Sequence, residues 1–105
     1  RAFCITHDEP LVWEAFVAWI RTLIAVYGAD LLRIKGIVNI QGQENPIAVH
    51  GVQHMFHDPV ELPGWPDDDR RSRMVFITNG LDPADLEKKL ANLQNAATRK
   101  SDPIK

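Results

Sequence analysis

The chain carries one cysteine, Cys4, in 105 residues, so neither an internal disulfide nor a thiolate metal cluster is available within it. A lone thiol suits a reducing cytoplasm. Apolar runs are short: none approaches the roughly 20 residues that span a bilayer, and no signal peptide is recognisable. The only serines, Ser72 and Ser101, fall in or near a loop and the tail, which leaves no hydrolase triad. Neither G-x-x-x-x-G-K-S/T nor G-x-G-x-x-G occurs, so no glycine-rich loop cradles a nucleotide phosphate. Charge nearly balances at -2, which gives no long-range pull toward nucleic acid or an anionic membrane.

What is present suffices for one modest core. Hydrophobic residues make up 45% of the chain, and its length is that of one domain. The chain starts at Arg1 rather than Met and enters a strand almost at once. It therefore reads as a piece of a longer protein, with a domain over residues 1–97 and a polar tail over 98–105. No internal repeat or low-complexity segment is visible.

The chain is organised around Leu31 to His57. Leu32, Ile34, Val38 and Ile40 share one parity, and Arg33, Lys35 and Asn39 the other, which is the period-two pattern of a half-buried strand. Gln41 to Pro46 is a polar turn, and Ile47 to Phe56 is expected to continue as one antiparallel partner strand. A hairpin alone is marginal in water, so its apolar face needs a cover. Ala2 to Thr6 reads as a short strand. Asp8-Glu9-Pro10 is expected to open a helix, whose apolar stripe is Trp13, Phe16, Val17, Ile20, Leu23, Ile24 and Tyr27, with Gly28 as its stop. Trp19 lies off that stripe and is expected partly exposed or against another body.

Residues 58–72 form a long loop holding three prolines, Trp65 and the acidic run Asp67-Asp68-Asp69. Trp65 either caps the edge of the core or inserts into a partner. Arg73 to Thr78 is a strand closed by Asn79-Gly80. Asp82 caps a second helix that begins at Pro83 and turns Leu86, Leu90, Leu93 and Ala97 inward. The order is β-α-β-β-β-α, with the first two strands parallel. The expected fold is an α+β two-layer sandwich, a four-stranded mixed sheet with two helices on one face, related to ferredoxin-like folds.

Chemistry-bearing residues are few. Cys4 and His7 are a conceivable nucleophile–base pair, but the favoured reading of Cys4 is a buried structural cysteine. His50, His54 and His57 read H-x-x-x-H-x-x-H, and a metal site formed with His7 or another domain is one reading of them. On a strand, however, four residues span roughly 13 Å, while each imidazole must lie about 2 Å from a shared metal. The plainer reading is surface or half-buried histidines on a sheet. Arg33, Lys35, Arg70, Arg71 and Arg73 are expected on the sheet face away from the helices or at its edge. RNA-recognition sheets use exposed aromatics there. Phe56 and Phe76 fall on core parities instead, so a solvated or protein-docking face is favoured over RNA.

Four blocks carry a family resemblance: Asp30 to Ile37 (DLLRIKGI), Val49 to His54 (VHGVQH), Gly64-Trp65-Pro66, and Arg70 to Ile77 (RRSRMVFI). Together, in this order and spacing, they resemble the C-terminal domain of the CobW-like GTPases, from about Phe3 to Leu93. The resemblance implies a parent with a P-loop GTPase domain and a Cys-x-Cys-Cys motif, using GTP and Mg to handle zinc or cobalt in connection with cobalamin synthesis. Neither motif is in this chain, so the resemblance carries over no catalytic residue. It implies an accessory module that meets the GTPase domain of its own chain or a metalloenzyme client. The expected contact surface is Arg33, Lys35, His50, His54, Trp65, Arg71 and Arg73. Histidine-rich tails occur in the family, whereas residues 98–105 hold no histidine.

Overall fold

The computed structural model describes residues 1–53 and 55–101, with the side chains of 98–101 excepted. His54, one of the sequence candidates, and residues 102–105 lie outside the described residues. The elements are β1 (Ala2–His7), α1 (Trp13–Tyr27), β2 (Leu31–Val38), β3 (Ile47–Val52), β4 (Met55–Phe56), β5 (Val60–Glu61), β6 (Ser72–Thr78) and α2 (Pro83–Ser101). The α+β character and the two helices match the sequence reading. The sheet does not: it has six strands, ordered β1-β6-β2-β3-β4, with β5 pairing β3.

Every pairing between these strands is antiparallel. β1 and β2 do run parallel to each other, but β6 lies between them and pairs with both. The last strand thus enters the gap that the first crossover leaves open. The expected mixed sheet is replaced by an antiparallel one whose only parallel contact among the described residues is the isolated bridge Leu11 to Ile40.

Two further corrections arise in the hairpin. The segment expected as one strand to Phe56 breaks at Gln53, which adopts φ 55. The chain reverses there, and Met55 and Phe56 pair back onto Val52 and Gly51. In β2 the alternation fails at its start, because the register with β6 shifts between Leu31 and Arg33. Such an irregularity inserts a residue and re-aims the side chains beside it. Leu31 and Ile34 are therefore buried while Leu32 is exposed.

The core lies between the helices and one sheet face. Ile5, Ile34, Val38, Val49, Met74 and Phe76 point from the sheet toward Phe16, Trp19, Ile20 and Leu23 of α1 and Leu86 and Leu90 of α2. Contrary to the sequence expectation, Trp19 is fully buried. Its indole Nε1–H donates to the Leu86 carbonyl of α2 at 2.9 Å. A helix packed on a sheet and also on a second helix needs a wider apolar arc than one stripe, and Trp19 serves the second contact.

α1 starts at Trp13, later than the acidic run, with no side-chain cap. Gln94 of α2 supplies what is missing, accepting from the Val12 amide at 2.8 Å through its side-chain carbonyl. Gly28 does not stop the helix in a left-handed turn; its φ is -42, and a 3-10 turn, Gly28–Asp30, continues the helical path. Asp82 caps α2 as expected, accepting from the Ala84 amide at 3.0 Å. α2 itself runs to Ser101, beyond the expected start of the tail at Thr98.

Candidate functional site: the open sheet face

Directly opposed residues on antiparallel strands share a face, so the registers assign the side of the sheet away from the helices. One row reads Cys4, Val75, Lys35, His50. A second reads Ala2, Ile77, Arg33, Val52, Met55. A third reads Thr6, Arg73, Ile37, Ala48, Val60. Five of the seven large apolar side chains exposed among the described residues lie in these rows: Val52, Met55, Val60, Val75 and Ile77. Single exposed apolar residues are ordinary, but a contiguous group is not.

The loop of residues 58–72 is anchored over the edge of this face. β5 pairs β3, and the Leu62 amide donates to the Pro46 carbonyl at 3.0 Å. Trp65 donates from Nε1 to the Glu44 carbonyl at 3.0 Å, and the Arg70 guanidinium lies 5.6 Å from its ring centroid. Trp65 is half-buried against the turn before β3 and stands outside the core cluster. Between the strands and this segment runs an open groove of about 760 Å³, bordered by Lys35, His50 and Val75 on the sheet and by His57, Val60 and Leu62 on the segment.

Charge on the face is predominantly positive. Arg33 and Lys35 are exposed, and neither forms an ion pair among the described residues. Arg73 is held at the groove's end by Asp67 at 3.6 Å and Asp69 at 3.8 Å. Arg71, just before β6, pairs with Asp69 at 2.9 Å. That hydrogen-bonded guanidinium pulls the Asp69 carboxyl down to about 2 from its ordinary 3.8. Two buried nitrogens bordering the groove, His50 Nε2 and Arg73 Nε, have no hydrogen-bond partner among the described residues.

The reversal at Gln53 brings His57 back over His50. Their rings stack at 5.0 Å with 18° between planes, and the His57 amide donates to the His50 carbonyl at 2.9 Å. Burial, followed by the positive charges of Arg33, His57 and Lys35, holds the His50 imidazole below its ordinary 6.5. Imidazole lone pairs lie in the ring plane, so near-parallel stacked rings do not converge on one ion. His7 is no third ligand: it pairs with Ser72 on β1, at the parity of Ile5 and on the helix side of the sheet. It is also three strand spacings, about 14 Å, from β3. No group of three or more His, Cys, Asp or Glu suited to a metal occurs among the described residues. Cys4, read from sequence as buried, is exposed on the open face.

Of the surface residues expected from sequence, Arg33, Lys35, His50 and Arg73 share one face. Trp65 and Arg71 border it at the loop and at the start of β6. The apolar members, Val52, Met55, Val60, Val75 and Ile77, went unrecognised, as did the His50–His57 stack. Val75 and Ile77 were readable from the alternation Met74, Phe76, Thr78 in the last strand. Met55 and His57 were not, because Val52-Gln53-His54-Met55 contains no Gly, Pro, Asn or Asp to mark the reversal. Nor is any helix among the described residues long and apolar enough to cross a membrane.

Among solved structures, the chain is similar to Zn(II)-bound YjiA GTPase from E. coli, at 26% identity and TM-score 0.78 over 88% of this chain. A Zn(II)-bound triple mutant of YjiA GTPase is similar at 26% identity and TM-score 0.78 over 89% of this chain. The chain spans 29% of the length of each. No curated protein matches it significantly. The family model for the cobalamin synthesis protein CobW C-terminal domain matches residues 1–94. With nearly its whole folded length inside that match, the chain belongs to the CobW C-terminal domain family.

Proposed function

We propose that this chain is a non-catalytic docking and regulatory module of a GTP-dependent metallochaperone concerned with zinc or cobalt delivery and related to cobalamin synthesis. Its open sheet face meets the GTPase domain of the same protein or a client metalloenzyme in the cytoplasm. The observation that carries this reading is the apolar and basic open face, present on a domain whose helices already satisfy the other side of the sheet. Family membership and the Zn(II)-bound GTPase neighbours support the wider setting. The residues present do not fit a guanine nucleotide, since the chain contains no phosphate loop. GTP, Mg and the metal cargo therefore belong, in this reading, to the rest of the parent protein.

Two measurements test the proposal. A phosphate-release assay on this chain with GTP is expected to give only the buffer rate; GTP turnover, or guanine nucleotide retained through gel filtration, overturns it. Calorimetry with zinc and with cobalt addresses the alternative of a histidine-based metal module on His50, His57 and His54. Because His50 and His57 stack instead of converging, no heat above buffer is expected at micromolar protein.

A further inference from the structure

We propose that the open sheet face, from the groove between β3 and the 57–66 segment across to the neighbouring depression lined by Arg33, Lys35, Val75 and Ile77, binds a peptide segment of an acidic and apolar kind, with carboxylates set against Arg33 and Lys35 and apolar side chains laid over Val75, Ile77 and Val60. This deepens the docking reading above and rests on it, naming the chemistry of the partner rather than only the surface.

Charge complementarity selects the occupant. The chain as a whole is net negative at -2, yet its open face carries Arg33 and Lys35 free of ion pairs among the described residues. Among the described residues Asp58 is the one carboxylate bordering the groove, while Asp67 and Asp69 are turned to Arg71 and Arg73 at its end. A local excess of positive charge on an acidic molecule favours an anionic partner and speeds its approach. The lining also leaves the Arg73 Nε–H without an acceptor among the described residues. A carboxylate, like a peptide carbonyl, presents acceptors only and meets this deficit, and the positive charge of the face selects the carboxylate.

The same face argues for peptide over nucleic acid. Base recognition on an open sheet relies on outward aromatic side chains. Here Phe3 and Phe76 stack on each other at 5.5 Å on the helix side, and Phe56 packs against the core. The outward apolar positions Val75, Ile77, Val52 and Ile37 are aliphatic, and the His50 and His57 rings on this side are stacked on each other. A highly charged polyanion would leave that aliphatic surface uncovered, whereas a mixed acidic and apolar segment satisfies both kinds of surface.

The test is to pan the whole 105-residue chain against a random dodecapeptide display library and to map the enriched peptides by amide chemical-shift perturbation. Enriched sequences are expected to combine Asp or Glu with aliphatic residues, with shifts concentrated on β2, β3 and β6. Arg33→Glu with Lys35→Glu is expected to weaken them at least tenfold, while Lys88→Glu on the exposed side of α2 leaves them unchanged. Thermal melts accompany each variant, so that lost binding is scored only where the fold persists. Binders on the open face that are basic or neutral, or poly-U RNA held more tightly than the acidic peptides, overturn this inference and leave the docking reading standing. Enrichment only of peptides that perturb α1 or α2, or no enrichment at all, overturns both.

Discussion

Replacing Trp19 separates a residue buried between two helices from one merely lying beside an apolar stripe. Its side chain is fully buried, with ring centroids 6.0 Å from Phe16 and 5.8 Å from Phe76, the latter edge-on. Its Nε1–H reaches the Leu86 carbonyl at 2.9 Å, and that bond joins α1 to α2. Trp19→Ala removes the ring and leaves a cavity under both helices, at a cost of about 3–5 kcal/mol. Trp19→Phe keeps most of the aromatic contact but drops the hydrogen bond and part of the volume, at a cost of about 1–2 kcal/mol. For a domain of this size each kcal/mol lowers Tm by about 4 °C. The alanine variant is then expected to melt about 12–20 °C lower, and the phenylalanine variant about 4–8 °C lower. Val26→Ala, at an exposed position of the same helix, is expected to stay within about 0.5 kcal/mol of the parent. Urea unfolding followed by circular dichroism reads all three, with the slope against denaturant unchanged. A Trp19→Ala loss below about 1 kcal/mol would refute the placement of this residue and, with it, the packing of α2 on α1.

Gly36→Ala is expected to destabilise by about 1–3 kcal/mol in the same assay, because an added Cβ would fall against the Arg73 carbonyl and the Met74 backbone. Gln53→Gly relieves a left-handed residue and is expected to be neutral or stabilising by up to about 1 kcal/mol, while Gln53→Val destabilises by at least about 1 kcal/mol. In the glycine variant a cross-peak between the His50 and His57 rings should persist. By NMR, His50 should titrate below 6.5, since its surroundings favour the neutral ring. The folded state then binds fewer protons than the unfolded one, so this group's stability contribution is retained above that pH and declines as pH falls below it. Asp69 has a folded value depressed to about 2 from 3.8, so its contribution is present above pH 3.8 and disappears as pH drops through about 2. Asp69→Asn should flatten the melting temperature across that acid window.

Some of this molecule was legible locally. The apolar spacing of α1, the Asp82-Pro83 opening of α2 and the alternation in β6 each depend on residues within a few positions of one another, and each appears much as the pattern implies. The outward placement of Arg33 and Lys35 follows from the same period-two rule. Family membership was legible too, because it rests on four blocks whose order and spacing survive in the one-dimensional string. Trp19 was misread because its burial comes from α2, whose position against α1 leaves no mark on the periodicity of α1 alone.

The sequence by itself determined the two helices and the strands β1, β2, β3 and β6, together with the main apolar stripe of α1 and the alternation of β6. Only the tertiary structure decided that β6 inserts between β1 and β2, that the chain reverses at Gln53, and that β5 adds to the edge of β3. Backbone hydrogen bonds between strands are nearly indifferent to side-chain identity, so neighbours in a sheet are chosen by the joint packing of all the elements. The groove, its basic and aliphatic lining and the stacked histidines exist because residues up to about forty positions apart are brought side by side by that choice.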